Sequence, residues 1–257
     1  MDILRKELNA IYESQRLCDE VLDASHIEKY CKTVSAFASV SDEICVITDA
    51  AADRCYIYGG RLAQLLGLSD NQSFQSVVAS SDEDEIYALM HPEDLPDKRL
   101  LEYEYFKFVD PLDSVGKTSY KASCRIRMRC RSGEYATIDN STQVLNPSPG
   151  GKIWLILCRY SLSQHPMPAA GISPAIVCPN TGVVTQLRFD SDRRNILTPR
   201  EKEILLLIKK GRLSKQIASL LGISINTVNR HRQNIIEKLS VSNSAEAVAA
   251  ALAMKLL

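Results

Sequence analysis

Asn226, Asn229, Arg230, Gln233 and Glu237 recur at steps of three and four residues, a spacing that places all five on one face of a helix. Asn and Gln amides pair with two atoms of adenine and an Arg guanidinium with two of guanine, so this face carries groups that read base edges in a major groove. A helix that is merely soluble more often carries Lys and Glu. Taken alone, a polar face is an ordinary solvated surface. What precedes it along the chain argues for the reading role.

Val228, Ile235 and Leu239 fall at helical spacing on another side and anchor the helix, which is expected to run to about residue 239. Upstream, Thr198-Pro199-Arg200-Glu201 is a capping box with Pro at the first helical position, so a helix starts at about residue 199. Ile204, Leu205, Leu207 and Ile208 give it an apolar side, and Gly211 stops it. Ser214 is expected to cap a short second helix with Ile217, Ala218, Leu220 and Leu221 inside. Gly222 makes the tight turn, and Ser224 or Asn226 caps the third helix. A fourth, at about 244–256, is Ala-rich, with Ala247, Val248, Ala251, Leu252 and Leu256 along one side.

Leu197 to Glu201, Lys215 to Ala218 and Thr227-Val228-Asn229-Arg230-His231 together resemble the DNA-binding domain of the LuxR family of bacterial transcription regulators. The resemblance covers residues 197–257, about a quarter of the chain. It implies a four-helix helix-turn-helix domain whose third helix enters the major groove of double-stranded DNA. By that resemblance Asn229, Arg230 and Gln233 are the base-contacting residues and Lys215 and Thr227 hold phosphates; Asn226, on the same face, joins the base-contacting set, and Ser214, His231 and Arg232 join the expected phosphate contacts. A common family pattern has Lys where Asn229 stands, so the operator does not carry over from relatives. His231 has no nearby Cys or carboxylate to complete a metal site, which leaves packing or a phosphate contact. The last helix either pairs two domains on a two-fold site, as the resemblance implies, or closes the domain's own core.

Charge is distributed unevenly. The chain holds 31 Lys/Arg and 31 Asp/Glu. From residue 198 onward ten basic residues face four acidic ones; subtraction from the totals leaves 21 against 27 upstream. A basic end attracts phosphate and an acidic remainder is kept off the duplex. No run is long enough to span a bilayer, and residues 1–20 lack the apolar core of a signal peptide, which points to a cytoplasmic protein without a membrane partner. The eight cysteines never form a Cys-x-x-Cys pair and sit mostly in apolar runs, reading as reduced buried thiols, with redox sensing as the alternative.

Upstream, Leu4, Leu8, Ile11, Gln15, Cys18 and Leu22 alternate steps of four and three. Such a stripe serves either as the seam of a helical dimer or as packing on the host domain. Ser25 with Glu28 forms a second capping box. From 43 to 162 the pattern changes: short apolar strands at 44–48 and 55–58, a short helix ended by Gly67, an acidic loop at 80–85 leading into a helix, and a polar helix to about residue 109. Three strands follow. Residues 119–130 alternate strictly, with Tyr120, Ala122, Cys124, Ile126, Met128 and Cys130 on one side and Lys121, Ser123, Arg125, Arg127 and Arg129 on the other. After the turn at Arg131-Ser132-Gly133-Glu134 comes a strand to about 145, then a Pro/Gly turn. Residues 153–160 are apolar on both faces and belong in the middle of a sheet.

This order of elements, with His91-Pro92-Glu93-Asp94 before a helix, resembles a PAS domain. The expected fold class is therefore α+β: N-terminal helices (1–42, candidate dimerisation segment), a PAS-like antiparallel sheet domain (43–162), a linker with a hairpin (163–196, its 190–195 stretch charged), and the all-α four-helix domain (197–257). The PAS resemblance implies a small-molecule ligand, a cofactor or a homodimer. The cofactor stays unknown: His91 is the one axial candidate for haem and is expected to cap its loop, and no flavin-adduct Cys motif is present. RNA polymerase stands as a further candidate partner. An alternative reading is a phosphorylation-driven response regulator with an atypical N-terminal domain, resting on Asp49 after the first strand. No Gly-rich phosphate loop, nucleophile elbow or paired-His motif indicates an enzyme.

Overall fold

The computed structural model describes residues 3–81, 83–168, 171–189, 197–239, 241, 243–253 and 256–257, and the side chains from Glu7 onward. Two compact units emerge, one spanning residues 8–187 and the other containing residues 188–257. The charged stretch 190–195, the Leu4 side chain and the end of the last helix lie outside the described residues.

In the upstream unit one antiparallel sheet takes the order β3-β2-β1-β6-β5-β4-β7-β8. Its strands are β1 (Ile44–Asp49), β2 (Arg54–Gly59), β3 (Phe74–Val78), β4 (Lys121–Arg129), β5 (Tyr135–Pro147), β6 (Ile153–Leu162), β7 (Ala175–Cys178) and β8 (Val183–Gln186). β6 lies between β1 and β5, and Ile153 to Ile156 are all buried, as a strand apolar on both faces requires. β4 buries Ala122, Cys124, Ile126 and Met128, the side its alternation marked. The opposite basic row is tied down: Arg125 pairs with Asp139, and Arg127 with Glu93 and Asp94. β3 has no counterpart in the expected elements. β7 pairs with β4, so the hairpin expected within a linker extends the sheet.

Helices cover both faces. α2 (Ala24–Ser41) packs Val34 and Ala38 against Cys45, Ile47, Tyr58 and Trp154. Its cap is Asp23, which accepts the Ser25 N–H at 2.9 Å, rather than Ser25 itself; Asp23 is the last extended residue and so faces the free amides. α1 (Ile3–Ser14) stops before Arg16, which is left-handed at φ 48°, and a short 3-10 turn follows. The stripe from 4 to 22 is thus not one helix. Leu8, Gln15 and Leu17 are buried, and Gln15, the polar interruption, donates to Asp110 and accepts the Ile153 N–H, both at 2.9 Å. These bonds favour packing on the host domain over a dimer seam.

α3 (Arg61–Leu65) ends ahead of Gly67. α4 (Asp84–Tyr87) and α5 (Leu95–Val109) follow, then α6 (Ser114–Ser119). The expected polar helix is α5, yet it buries Asp97, Lys98, Arg99 and Glu102. Lys98 Nζ donates to Glu102 at 2.6 Å and to the Thr142 hydroxyl at 3.1 Å. The Tyr87 hydroxyl reaches both Glu102 oxygens, at 2.8 and 2.9 Å. Burial alone would lower the Lys98 pKa, but Glu102 and the neighbouring thiols raise it, so the ammonium stays charged.

His91 performs a loop role: its Nδ1 accepts the Glu93 N–H at 3.3 Å and its ring meets Tyr135 edge-on. Asp49, on which the response-regulator alternative rested, is 3 % exposed and accepts from Ala51, Ala52 and Trp154. Five of the eight cysteines are buried, Cys31 and Cys130 are half-buried, and Cys18 is exposed. Among the described residues no helix is long and apolar enough to cross a membrane, and no cluster of His, Cys, Asp or Glu could hold a metal ion.

Candidate nucleic-acid interface

The C-terminal unit is built from α7 (Pro199–Lys209), α8 (Ser214–Leu221), α9 (Ile225–Leu239) and α10 (Ser244–Ala253). α7 starts on the full capping box: Thr198 Oγ1 accepts the Glu201 N–H at 3.2 Å, and Glu201 accepts the Thr198 N–H at 2.8 Å. Lys238 also reaches Glu201 at 2.8 Å, tying the end of α9 to the start of α7. Burial pushes the Glu201 carboxyl up, but the bonds from Lys238 and Thr198 outweigh it and hold the group below its usual value. Thr198→Ala is expected to destabilise this unit by about 1 kcal/mol. Thermal unfolding followed by far-ultraviolet circular dichroism checks it; an unchanged midpoint would remove the box from the account.

The core gathers Leu197, Ile204, Leu205, Ile217, Ala218, Val228, Ile235, Leu239, Ala247 and Ala251. Ala247 and Ala251 are fully buried, so α10 closes this core whatever else it does. Gly222 turns α8 into α9 with φ 64°, a left-handed conformation that costs glycine little, and Gly211 does the same after α7 at φ 75°. Ser224 is the cap of α9, accepting the Thr227 N–H at 3.0 Å. That leaves Asn226 outside the cap.

With Val228, Ile235 and Leu239 turned inward, Asn226, Asn229, Arg230 and Gln233 all stand exposed along the opposite side of α9. Gln233 donates to Glu237 one turn on, at 3.0 Å. Lys209, Lys210, Arg212 and Lys215 are exposed around the start of α8, and Thr227 opens α9 exposed. His231 is half-buried, and its Nδ1 is enclosed with no hydrogen-bond partner among the described residues.

Ser214 and Arg232 differ from the expectation. Leu213, not Ser214, precedes the first turn of α8, and its N–H is taken by Gln216 at 3.0 Å. The Ser214 hydroxyl instead accepts from Arg232 Nη1 at 2.8 Å, while Arg232 Nη2 donates to Ser244 at 2.9 Å. Arg232 therefore braces three helices, because its half-buried guanidinium reaches the first residues of α8 and α10 at once. A second brace is Arg200, whose Nη2 donates to the Leu221 carbonyl at 3.0 Å, holding the end of α8 to α7. Nothing local to either arginine signals its distant partner.

Residues 195–251 match the family described as bacterial regulatory proteins, luxR family. The transcriptional activator protein CarR of Pectobacterium carotovorum subsp. carotovorum is 43 % identical over 67 residues, 26 % of this chain and 28 % of that protein. An uncharacterized response regulatory protein, YgeK of Escherichia coli K12, is 48 % identical over 67 residues, 26 % of this chain and 44 % of that protein. The aligned segment thus spans less than half of either relative. A solved structure of the Vibrio cholerae VqmA dimer covers 88 % of both chains at 18 % identity with a TM-score of 0.31, a likeness that places no element of the upstream unit. The family match, the helix order and the exposed face of α9 coincide on the same sixty residues: the C-terminal segment 195–251 is a LuxR-type helix-turn-helix domain.

Proposed function

We propose that this chain is a sequence-specific transcription regulator, and no enzyme, in which α9 reads the major groove of double-stranded DNA and the upstream sheet domain senses a signal or mediates dimerisation. The carrying observation is the sidedness of α9: apolar anchors buried, and two Asn, one Arg and one Gln exposed on the opposite side. Asn226, Asn229, Arg230 and Gln233 contact base edges, where paired hydrogen bonds distinguish the bases. Lys215, Thr227 and His231 contact phosphates, and Lys209, Lys210 and Arg212 add attraction. Two copies of the chain would match two half-sites about one helical turn apart. The PAS-like reading of residues 43–162 is supported by the three consecutive antiparallel strands β4, β5 and β6. A cytoplasmic location and contact with RNA polymerase belong to the same reading.

Selection from a random-sequence duplex library with the full chain tests it. The expected product is a two-fold symmetric motif; no enrichment over the starting pool would overturn the reading. Lys215→Ala is expected to weaken all sequences alike and to lower the slope of log affinity against log salt by about 1. Fluorescence anisotropy at several salt concentrations reads that slope, and a change confined to one sequence would reassign Lys215 to base contact.

A further inference from the structure

Three carboxamides stand exposed on the polar side of α9, those of Asn226, Asn229 and Gln233. One of them is held. Gln233 Nε2 donates to Glu237 Oε1 at 3.0 Å, one helical turn on, while among the described residues no such bond fixes Asn226 or Asn229. Glu237 is exposed and is the one acidic residue in the sequence of α9. On a surface that approaches phosphates an acid weakens binding to every sequence, so its presence calls for a role other than attraction.

The role follows from the chemistry of the bond. A carboxylate accepts hydrogen bonds and has no proton to give, so of the two ends of the Gln233 amide only the NH2 can face it. With one amide hydrogen engaged, the side chain keeps a single N–H and its carbonyl oxygen for DNA. Adenine presents the matching pair in the major groove, the N7 acceptor beside the N6 donor, whereas guanine presents two acceptors, N7 and O6. An unrestrained carboxamide can turn both hydrogens toward guanine. One held at Nε2 brings its own oxygen against guanine O6, and two acceptors repel. Glu237 sits about 6 Å farther along the axis than Gln233, on the side away from the helix start where base contacts concentrate, so it acts through its neighbour. Displacement of water from the groove strengthens the bond on the complex.

We propose that Glu237 is a positioning residue, which restricts Gln233 to adenine and sets it against guanine. This rests on the reading of α9 as the helix that enters the major groove, and deepens it: the first fixes which side chains meet bases, the second which base one of them accepts. The pair combines a favourable match with a built-in clash against the competitor, the two ways in which an interface gains specificity.

The test uses the full chain and the motif selected from the random library, with competition anisotropy at one salt concentration on every single-base variant. Gln233→Ala locates the base pair that Gln233 reads, where the wild type should favour adenine over guanine by about tenfold or more. Glu237→Ala should cut that ratio by about threefold or more and leave the other positions alone. Glu237→Gln, whose carbonyl still accepts the same N–H, should keep the ratio within about twofold. Both Glu237 variants lose a negative charge, so both should bind unrelated duplex more tightly, and to the same extent. Each ratio compares two duplexes on one sample, so a partly unfolded preparation changes both affinities alike and cancels. An unchanged ratio in Glu237→Ala overturns the proposal, as does an equal loss in Glu237→Gln, which would make the effect one of charge. A change at a different base pair also overturns it, by making Glu237 a base contact in its own right. These three outcomes leave the reading of α9 standing; a Gln233→Ala variant with no altered position removes Gln233 from the bases and takes the proposal with it.

Discussion

Lys98→Met should destabilise the upstream unit by about 3–5 kcal/mol, a large part of the total for a domain of ordinary stability. Glu102 is 4 % exposed, and its remaining partner, the Tyr87 hydroxyl, offers hydrogen bonds but no positive charge. Removing the ammonium would leave a carboxylate that must either stay ionised in a poor dielectric or take up a proton, and both are costly. The double variant Lys98→Met/Glu102→Leu should recover most of the loss, because a buried pair replaced by apolar groups of similar volume is often neutral or better. Trp154 is the one tryptophan of the chain and lies in the core of this unit, so urea unfolding followed by its fluorescence isolates the transition. A loss below about 1 kcal/mol for Lys98→Met, outside the range for broken buried pairs, would show that water reaches Glu102.

That cluster also marks where sequence reasoning stops. α5 reads as a polar helix because Asp97, Lys98, Arg99 and Glu102 look like any solvated run; their burial depends on Tyr87 and on Thr142, which lies 44 residues beyond Lys98. β3 has only a short, weak alternation, and the partner that makes it a strand, β2, precedes it across a helix. The hairpin of β7 and β8 is legible from its Pro-Asn-Thr-Gly turn, but its attachment to β4 is a pairing over some fifty residues. Where the signal is local, sequence and structure agree. The capping box at Thr198, the left-handed glycines 211 and 222, the alternation of β4 and the doubly apolar β6 are each decided by a few neighbouring residues.

The same division runs through the DNA interface. Periodicity alone separates the anchors of α9 from its exposed polar side. It does not separate Arg230, which is exposed, from Arg232, which is committed to two serines on other helices. Two arginines two residues apart point in different directions on a helix, and only the packed neighbours decide which one is free.

Arg230 therefore carries the central claim. A guanidinium paired with one base should contribute about 1–3 kcal/mol of discrimination at that position, which corresponds to roughly ten- to a hundred-fold in relative affinity. The decisive measurement is the relative affinity of wild type and Arg230→Ala for the selected motif and for every single-base variant of it, at one fixed salt concentration. The account predicts that Arg230→Ala loses its preference at one base pair per half-site while its affinity for unrelated duplex stays close to that of the wild type. An unchanged preference at every position, with the protein still binding DNA, would contradict the claim that this face of α9 reads the bases.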